Sequence, residues 1–462
     1  MDPTDTPSQP GKRYLARRAV ALALVLLVAA AAAVVAATRI DKDDLAPVAG
    51  PTSPTETEHV EPEDDTPPEI EVADLPEGLD PFRAVEITGE VDEDVTLKVG
   101  RHRKEVEAGE FSMKLPAPPH TPVTVVARDE NGNTAETQLE FDIKWPPMRA
   151  VHVSGYAWAT PSFRKALMGM IDKRLINTIQ LDLKDESGVV SYRSKIPLAK
   201  KIGSAQGIYD LKDALRLLHK KKVRVVGRIV CFRDAILARA SWPRHKERVI
   251  QRPDGSPYAN YGGFTNFANE KVRGYNIDIA EEAARIGIDD ILYDYVRRPD
   301  GPLKNLKIPG LKGSPERSIV AFVRETAKRL EPHGTKLGLS VYGIAATRPK
   351  EIAQDIPRMA KHADYISPMV YPSHWAPGEY NVGNPNSEPY KIVHRSLKDF
   401  LKQTRKTDAT VIPWLQDFSL GVTYGAKQVR AQIDATYDRG IQEWILWDPK
   451  VTYTTAALDP MR

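Results

Sequence analysis

One cysteine, Cys231, stands among 462 residues, so the chain can form no internal disulfide, no cysteine-based zinc site and no redox pair. It sits in a β-branched run, where a buried and inert thiol is expected. Net charge is scarce as well: the formal balance is +3 at pH 7, with acids and bases interspersed. That leaves no basic footprint of the kind nucleic-acid binding needs. No Gly-x-Ser-x-Gly elbow, Walker loop or His-Glu-x-x-His motif occurs, and serine-hydrolase, nucleotide and zinc-protease chemistries therefore lack their signatures. His152, His219 and His374 are scattered, a poor set for a metal-dependent deacetylase. Neither a metal nor a cofactor is expected.

What is present begins with an uncharged apolar run from Ala19 to Ala37, preceded by Lys12, Arg13, Arg17 and Arg18. Its length suits a spanning helix of about 20 residues and exceeds the roughly 7 to 15 of a signal-peptide core, although its alanines offer cleavage sites. The basic flank puts residues 1–18 in the cytoplasm, residues 19–38 in the membrane and everything after them outside it. Residues 39–80 are rich in Pro, Glu, Asp and Thr. Such a segment cannot bury enough apolar surface to offset its ordering entropy, and it reads as an extended, disordered stalk.

Residues 81–145 switch to short alternating segments, such as Val95-Thr-Leu-Lys-Val and Val123-Thr-Val-Val-Ala, broken by Gly100, Gly109 and Asn131-Gly132. The spacing predicts a small antiparallel sandwich. It resembles bacterial immunoglobulin-like modules that accompany glycan-active enzymes, on Gly109-Glu-Phe and Asp129-Glu-Asn-Gly-Asn. The latter lacks the later bidentate Glu of a calcium loop and reads as a hairpin turn.

From residue 148 to residue 462, eight strand-like runs alternate with amphipathic helical patterns, which predicts a (β/α)8 TIM barrel. The runs are 150–158, 178–183, 223–232, 290–296, 336–342, 365–371, 410–415 and 443–447. An open doubly wound sheet is weakened because no glycine-rich phosphate loop follows the first run. The fourth run, Ile291-Leu-Tyr-Asp-Tyr-Val-Arg-Arg-Pro, places Asp294 in an apolar strand, where a carboxylate has no structural use. Active sites of such barrels gather at the strands' C-terminal ends. Those ends bring carboxylates, aromatics and a few arginines to one cleft, the chemistry of a sugar site: flat rings stack on pyranose faces and paired acids act on the glycosidic bond.

Six motifs in order carry a resemblance to a family of bacterial TIM-barrel glycoside hydrolases distantly related to the alpha-amylase clan, without an agreed substrate. They are Asp182-Leu-Lys-Asp-Glu-Ser-Gly, Arg228-Ile-Val-Cys-Phe-Arg-Asp, Tyr293-Asp-Tyr-Val-Arg-Arg-Pro, Ser367-Pro-Met-Val-Tyr-Pro-Ser-His-Trp, Trp414-Leu-Gln-Asp-Phe and Trp444-Ile-Leu-Trp-Asp-Pro. Arg298 replaces the aromatic usual before that proline, and Asp448 stands where the family commonly has Asn. The resemblance implies Asp294 as nucleophile or general base, since clan relatives place a carboxylate nucleophile at strand four. The competing reading is a salt bridge to Arg228 or Arg297. Asp417 is the first choice for the acid partner, with Asp182, Asp185 and Glu186 as rivals, one of which would instead bind a sugar hydroxyl or orient Lys184. Substrate contacts are expected from Asp185, Glu186, Arg228, Arg297, Tyr371, His374, Trp375, Trp414, Gln416, Trp447 and Asp448. The expected protein is a membrane-anchored, extracytoplasmic hydrolase of a cell-wall or capsular polysaccharide. The alternative is a barrel without catalysis that serves as a glycan-binding or wall-assembly module.

Overall fold

The computed structural model describes residues 65–461. The expected basic tail, membrane helix and most of the stalk lie outside the described residues. Among the described ones, no helix is long and apolar enough to cross a membrane.

Seven strands form the N-terminal module: β1 (Ile70–Val72), β2 (Val85–Val91), β3 (Val95–Val99), β4 (His102–Val106), β5 (Gly109–Leu115), β6 (Val123–Arg128) and β7 (Thr134–Leu139). They make two antiparallel sheets, β1-β2-β5 and β4-β3-β6-β7. Two-residue alternation turns Ile87, Leu97, Phe111, Met113 and Val125 into one core between them. Two strands depart from the sequence reading. β1 lies within the expected stalk yet pairs with Gly89–Val91, so ordered structure begins before residue 81. β4 is an edge strand whose His-Arg-Lys-Glu run faces solvent, and such charge protects an exposed edge while hiding it from a hydrophobic pattern. The Asp129 carboxylate accepts from the amides of Gly132 (2.6 Å) and Asn133 (2.8 Å), closing the turn.

The second body contains β8 (Arg149–Val153), β9 (Thr178–Lys184), β10 (Val190–Tyr192), β11 (Ala205–Tyr209), β12 (Arg224–Val230), β13 (Asp290–Asp294), β14 (Lys336–Tyr342), β15 (Tyr365–Met369), β16 (Thr410–Val411), β17 (Trp414–Gln416) and β18 (Trp444–Trp447). β9, β12, β13, β14, β15, β17, β18 and β8 follow one another in parallel, and β8 pairs with β9 to close the barrel. The seventh strand is split between β16 and β17 by Ile412-Pro413, since proline has no N–H to give the ladder. The first is shorter than expected: Ser154 caps the helix Gly155–Ala159, so Tyr156 and Trp158 are helical.

The barrel interior is layered by strand alternation. β12 sends Arg224, Val226 and Arg228 inward, and β13 sends Asp290, Leu292 and Asp294. Arg224 and Asp290 form a buried pair at the N-terminal end, 2.8 Å apart. Ala150, Val226, Leu292 and Ile445 make an apolar middle. Gly338 is required there, because a Cβ at that position would stand 2.1 Å from the Tyr365 ring.

The N-terminal module seats on the barrel's N-terminal end. Trp145 meets Phe82 (5.5 Å), His120 (5.4 Å) and the guanidinium of Arg224 (4.8 Å). Asp289, its side chain fully buried, accepts from His219 Nε2 at 2.9 Å and has His120 at 3.8 Å. The opposite, C-terminal end is where Asp294 lies.

Candidate active site

A one-residue irregularity shapes the site. Asp182 stands opposite Arg228, but the next partners are Lys184 and Ile229, so β9 bulges at Leu183. Asp182 therefore points into the barrel mouth while Lys184 turns outward. There Lys184 meets Asp234 at 2.8 Å with both side chains fully buried, and donates to Asn276 (2.8 Å). The expected role for an acid in orienting Lys184 thus falls to Asp234, not to Asp182, Asp185 or Glu186.

Arg228 is the centre of the mouth. Its Nε and Nη2 donate to Asp294 Oδ2 (3.0 and 2.6 Å), its Nη1 donates to Asp182 Oδ1 (2.9 Å), and its Nη2 also reaches Glu186 Oε1. The other Asp294 oxygen accepts the amide of Tyr295 at 2.6 Å. Tyr295 adopts φ +48°, a left-handed backbone that a bulky residue takes only where its surroundings hold it. His152 lies 3.7 Å from Asp182 and is fixed by Gln180 at 2.8 Å. Of the two salt bridges expected for Asp294, the one to Arg228 forms. Arg297 pairs instead with Asp300, at 2.9 Å.

A cleft of about 880 Å³, counting its open mouth, lies over this group. Glu186, Arg228 and Asp294 occupy its floor, Arg297 and Asp300 one wall, and Tyr342, Tyr371 and Trp447 contribute rings. Tyr371 stacks on Trp447 at 5.2 Å, and Phe418 meets Trp447 edge-on at 5.0 Å. Trp447 is partly exposed. Trp375 also lines the cleft but is 7 % exposed, and Trp414 is 2 % exposed with its Nε1 on Ser340 (3.0 Å). These two wall the site more than they offer a stacking face. His374 lines the cleft, and burial holds its imidazole below the usual range.

Several expected residues lie elsewhere. Asp417 accepts the amide of Thr454 at 2.8 Å on one oxygen and its hydroxyl at 2.6 Å on the other. It anchors the C-terminal segment and does not line the cleft; burial pushes its carboxyl up to about 6. Asp448 caps the amide of Lys450 at 2.5 Å, and burial raises it. Gln416 is fully buried between Ser373 (3.1 Å) and the carbonyl of Phe418 (2.9 Å). Asp185 folds back on the amides of Ser187 and Val189, both at 2.9 Å. Arg298 spends its guanidinium on the carbonyls of Pro299, Gly301 and Lys350, so the departure from the family pattern holds a loop. Asp182 is 2 % exposed behind Arg228, and burial raises its carboxyl. Glu186 lines the cleft with Asp294 and Asp300. Burial acts to raise its carboxyl, but the Arg228 guanidinium overrides this and brings it down to about 2. Asp300 was missed by sequence reading; its only signal was a place three residues after Arg297.

Among the described residues no group of His, Cys, Asp and Glu is arranged to hold a metal ion. Cys231 is buried, and burial pushes its thiol well up.

The family model described as "putative glycosyl hydrolase domain" matches residues 150–453. The chain belongs to that family. The match spans the closed barrel and every residue of the cleft described above. No curated protein matches the chain. Among solved structures, a hypothetical protein from Ruminiclostridium thermocellum is 25 % identical, covering 41 % of this chain and 96 % of that one, with a TM-score of 0.38. The glycoside hydrolase domain of PgaB from Bordetella bronchiseptica is 13 % identical over 66 % of this chain and 95 % of its own, TM-score 0.46. Catalytic domain 2 of a group II chitinase from Ostrinia furnacalis, crystallised with a chitin oligosaccharide, is 14 % identical over 67 % and 94 %, TM-score 0.40. At these scores none of the three bears on substrate or mechanism.

Proposed function

We propose that this glycosyl hydrolase domain cleaves a cell-wall or capsular polysaccharide outside the cell, tethered by the apolar run at residues 19–38, with Asp294 as nucleophile and Glu186 as acid–base partner. One observation carries the catalytic part: Asp294 and Glu186 bond to the same nitrogen of Arg228 at the open end of the barrel. Two oxygens sharing one donor stand at most about 5 to 6 Å apart, which favours the separation of about 5 to 5.5 Å in retaining enzymes over the wider one of inverting enzymes. Asp294 would attack the anomeric carbon while Glu186 protonates the departing oxygen; Glu186 would then deprotonate the water that releases the sugar. This reading moves the acid from Asp417 to Glu186.

Asp294→Asn should lower turnover of a susceptible envelope glycan by about three orders of magnitude or more while the glycan still binds. Unchanged turnover in a depolymerisation assay would remove Asp294 from the mechanism. Binding without turnover in the unmodified protein, across a panel of purified envelope polysaccharides, would favour the glycan-binding module instead. The tether has its own check, since a protein recovered cleaved and soluble from the medium would contradict it.

A further inference from the structure

Arg297 lies in the cleft wall with its side chain 5 % exposed. Its guanidinium packs on the rings of Tyr295 (4.8 Å) and Tyr342 (5.2 Å). Nη1 is used, donating to the carbonyl of Arg298 (3.0 Å) and to Asp300 Oδ1 (2.9 Å). Nε and Nη2 have no acceptor among the described residues, and neither is sealed from solvent. These two nitrogens form one edge of the guanidinium, a pair of parallel donors matched to the two oxygens of a carboxylate.

The same barrel shows twice what that edge is for. At the N-terminal end, Arg224 turns Nε (3.1 Å) and Nη2 (2.9 and 2.8 Å) onto Asp290. At the C-terminal end, Arg228 turns Nε and Nη2 onto a carboxylate as well, both on the single oxygen Oδ2 of Asp294. Arg297 lines the cleft, and its corresponding edge has no protein carboxylate. A nearly buried cation whose one acidic partner, Asp300, is 39 % exposed is incompletely compensated. Sugar hydroxyls would satisfy its donors singly, whereas a carboxylate takes both with charge assistance. The cleft's own acids are engaged elsewhere, Asp294 and Glu186 by Arg228 and Asp300 by Nη1 of Arg297.

We propose that the Nε–Nη2 edge of Arg297 is a subsite for a carboxylate carried on a sugar ring, so that the glycan substrate is an acidic one. The inference rests on the hydrolase reading for the word substrate, but binding tests it without turnover. Two sources present this chemistry: the ring carboxylate of a uronic acid, and the lactyl ether of an amino sugar. The test uses the full chain carrying Asp294→Asn, with hexuronate oligosaccharides against their carboxyl-reduced counterparts, and lactyl-ether amino-sugar oligosaccharides against their amidated counterparts. One acidic ligand should bind about ten- to a hundredfold more tightly than its neutral counterpart. Which pair shows the preference names the source. Adding Arg297→Gln should erase it and Arg297→Lys restore only part of it, with thermal melting to confirm folding; the comparison between ligands on the unaltered Arg297 stands even if those variants fail to fold. Equal binding of acid and neutral ligands in both pairs, or binding of neither, overturns the subsite. If the wild-type chain cleaves a neutral glycan as fast as an acidic one, the hydrolase reading stands and the subsite falls.

Discussion

Arg228 binds three carboxylates with one positive charge, and the consequences are chemical. Held by Arg228, Glu186, brought down to about 2, is a carboxylate across the neutral range, so it holds no proton for a leaving group. The proposed mechanism therefore needs the sugar to part Glu186 from Arg228. This predicts a split in pH dependence: kcat/KM, which reports the free enzyme, falls steadily from acid toward neutral pH, while kcat holds to a distinctly higher pH. Coincident profiles would exclude Glu186 as the acid. Asp417 makes the contrasting case. Its carboxyl is raised to about 6 by burial, so its contribution to stability is complete below about pH 4 and is lost as pH rises through 6. Asp417→Asn should leave kcat within about threefold of wild type, because the side chain anchors Thr454 instead of lining the cleft. Its stability relative to wild type should improve by about 3 kcal/mol between pH 4 and pH 7, measured by denaturant unfolding. A loss of kcat comparable to that of Asp294→Asn would return Asp417 to the mechanism.

Strands β12 and β13 each carry the same signal twice. Arg-Val-Val-Gly-Arg and Asp-Ile-Leu-Tyr-Asp put an arginine and an aspartate inward at both ends of the barrel, and the argument from a carboxylate in an apolar strand fits Asp290 as well as Asp294. What separates them is the end of the barrel. The Arg224–Asp290 pair is closed beneath Trp145, whereas Arg228 and Asp294 open on the cleft. Arg224→Met should destabilise the protein by about 3 to 5 kcal/mol, as removal of one partner of a buried pair does, while the folded fraction keeps its kcat. Arg228→Met should suppress kcat at least a hundredfold in protein that remains folded, as judged by circular dichroism alongside the assay. The eight strands were legible because their apolar runs are long and their order is regular. The acid partner was not, because residues after a strand share an end of the barrel in sequence terms even where a loop turns them away. Asp417, Asp448 and Asp185 each fold back onto nearby backbone, whereas Glu186 is held at the site by the reach of Arg228. β4 escaped notice for a related reason, since its charged residues carry no hydrophobic alternation.

At the scale of the whole molecule, the module and the barrel are joined through the end of the barrel opposite the cleft. Trp145 is the hinge pin of that contact, touching Phe82 and His120 on one side and covering Arg224 on the other. Its removal exposes a buried ion pair to water and cuts the packing between the two bodies. Trp145→Ala should cost about 2 to 4 kcal/mol, less than a fully buried tryptophan would, because the ring is only partly enclosed. The loss should be one of coupling: a single calorimetric transition in the wild type should divide into two, the module melting apart from the barrel. The His219–Asp289 pair beside this contact gives the barrel a pH dependence. Burial works against the charged form of His219, but the hydrogen bond and charge of Asp289 outweigh it and raise the imidazole above its ordinary range. That stabilisation is full below about pH 6.5 and is lost as pH rises through the raised value. His219→Gln should therefore lower the barrel's Tm more at pH 5.5 than at pH 8.5, and a difference in the opposite direction would mean that His219 is neutral against Asp289. Because the cleft lies at the other end, turnover per folded molecule should be unaltered in both variants, which separates a module that stabilises the barrel from one that takes part in binding the glycan.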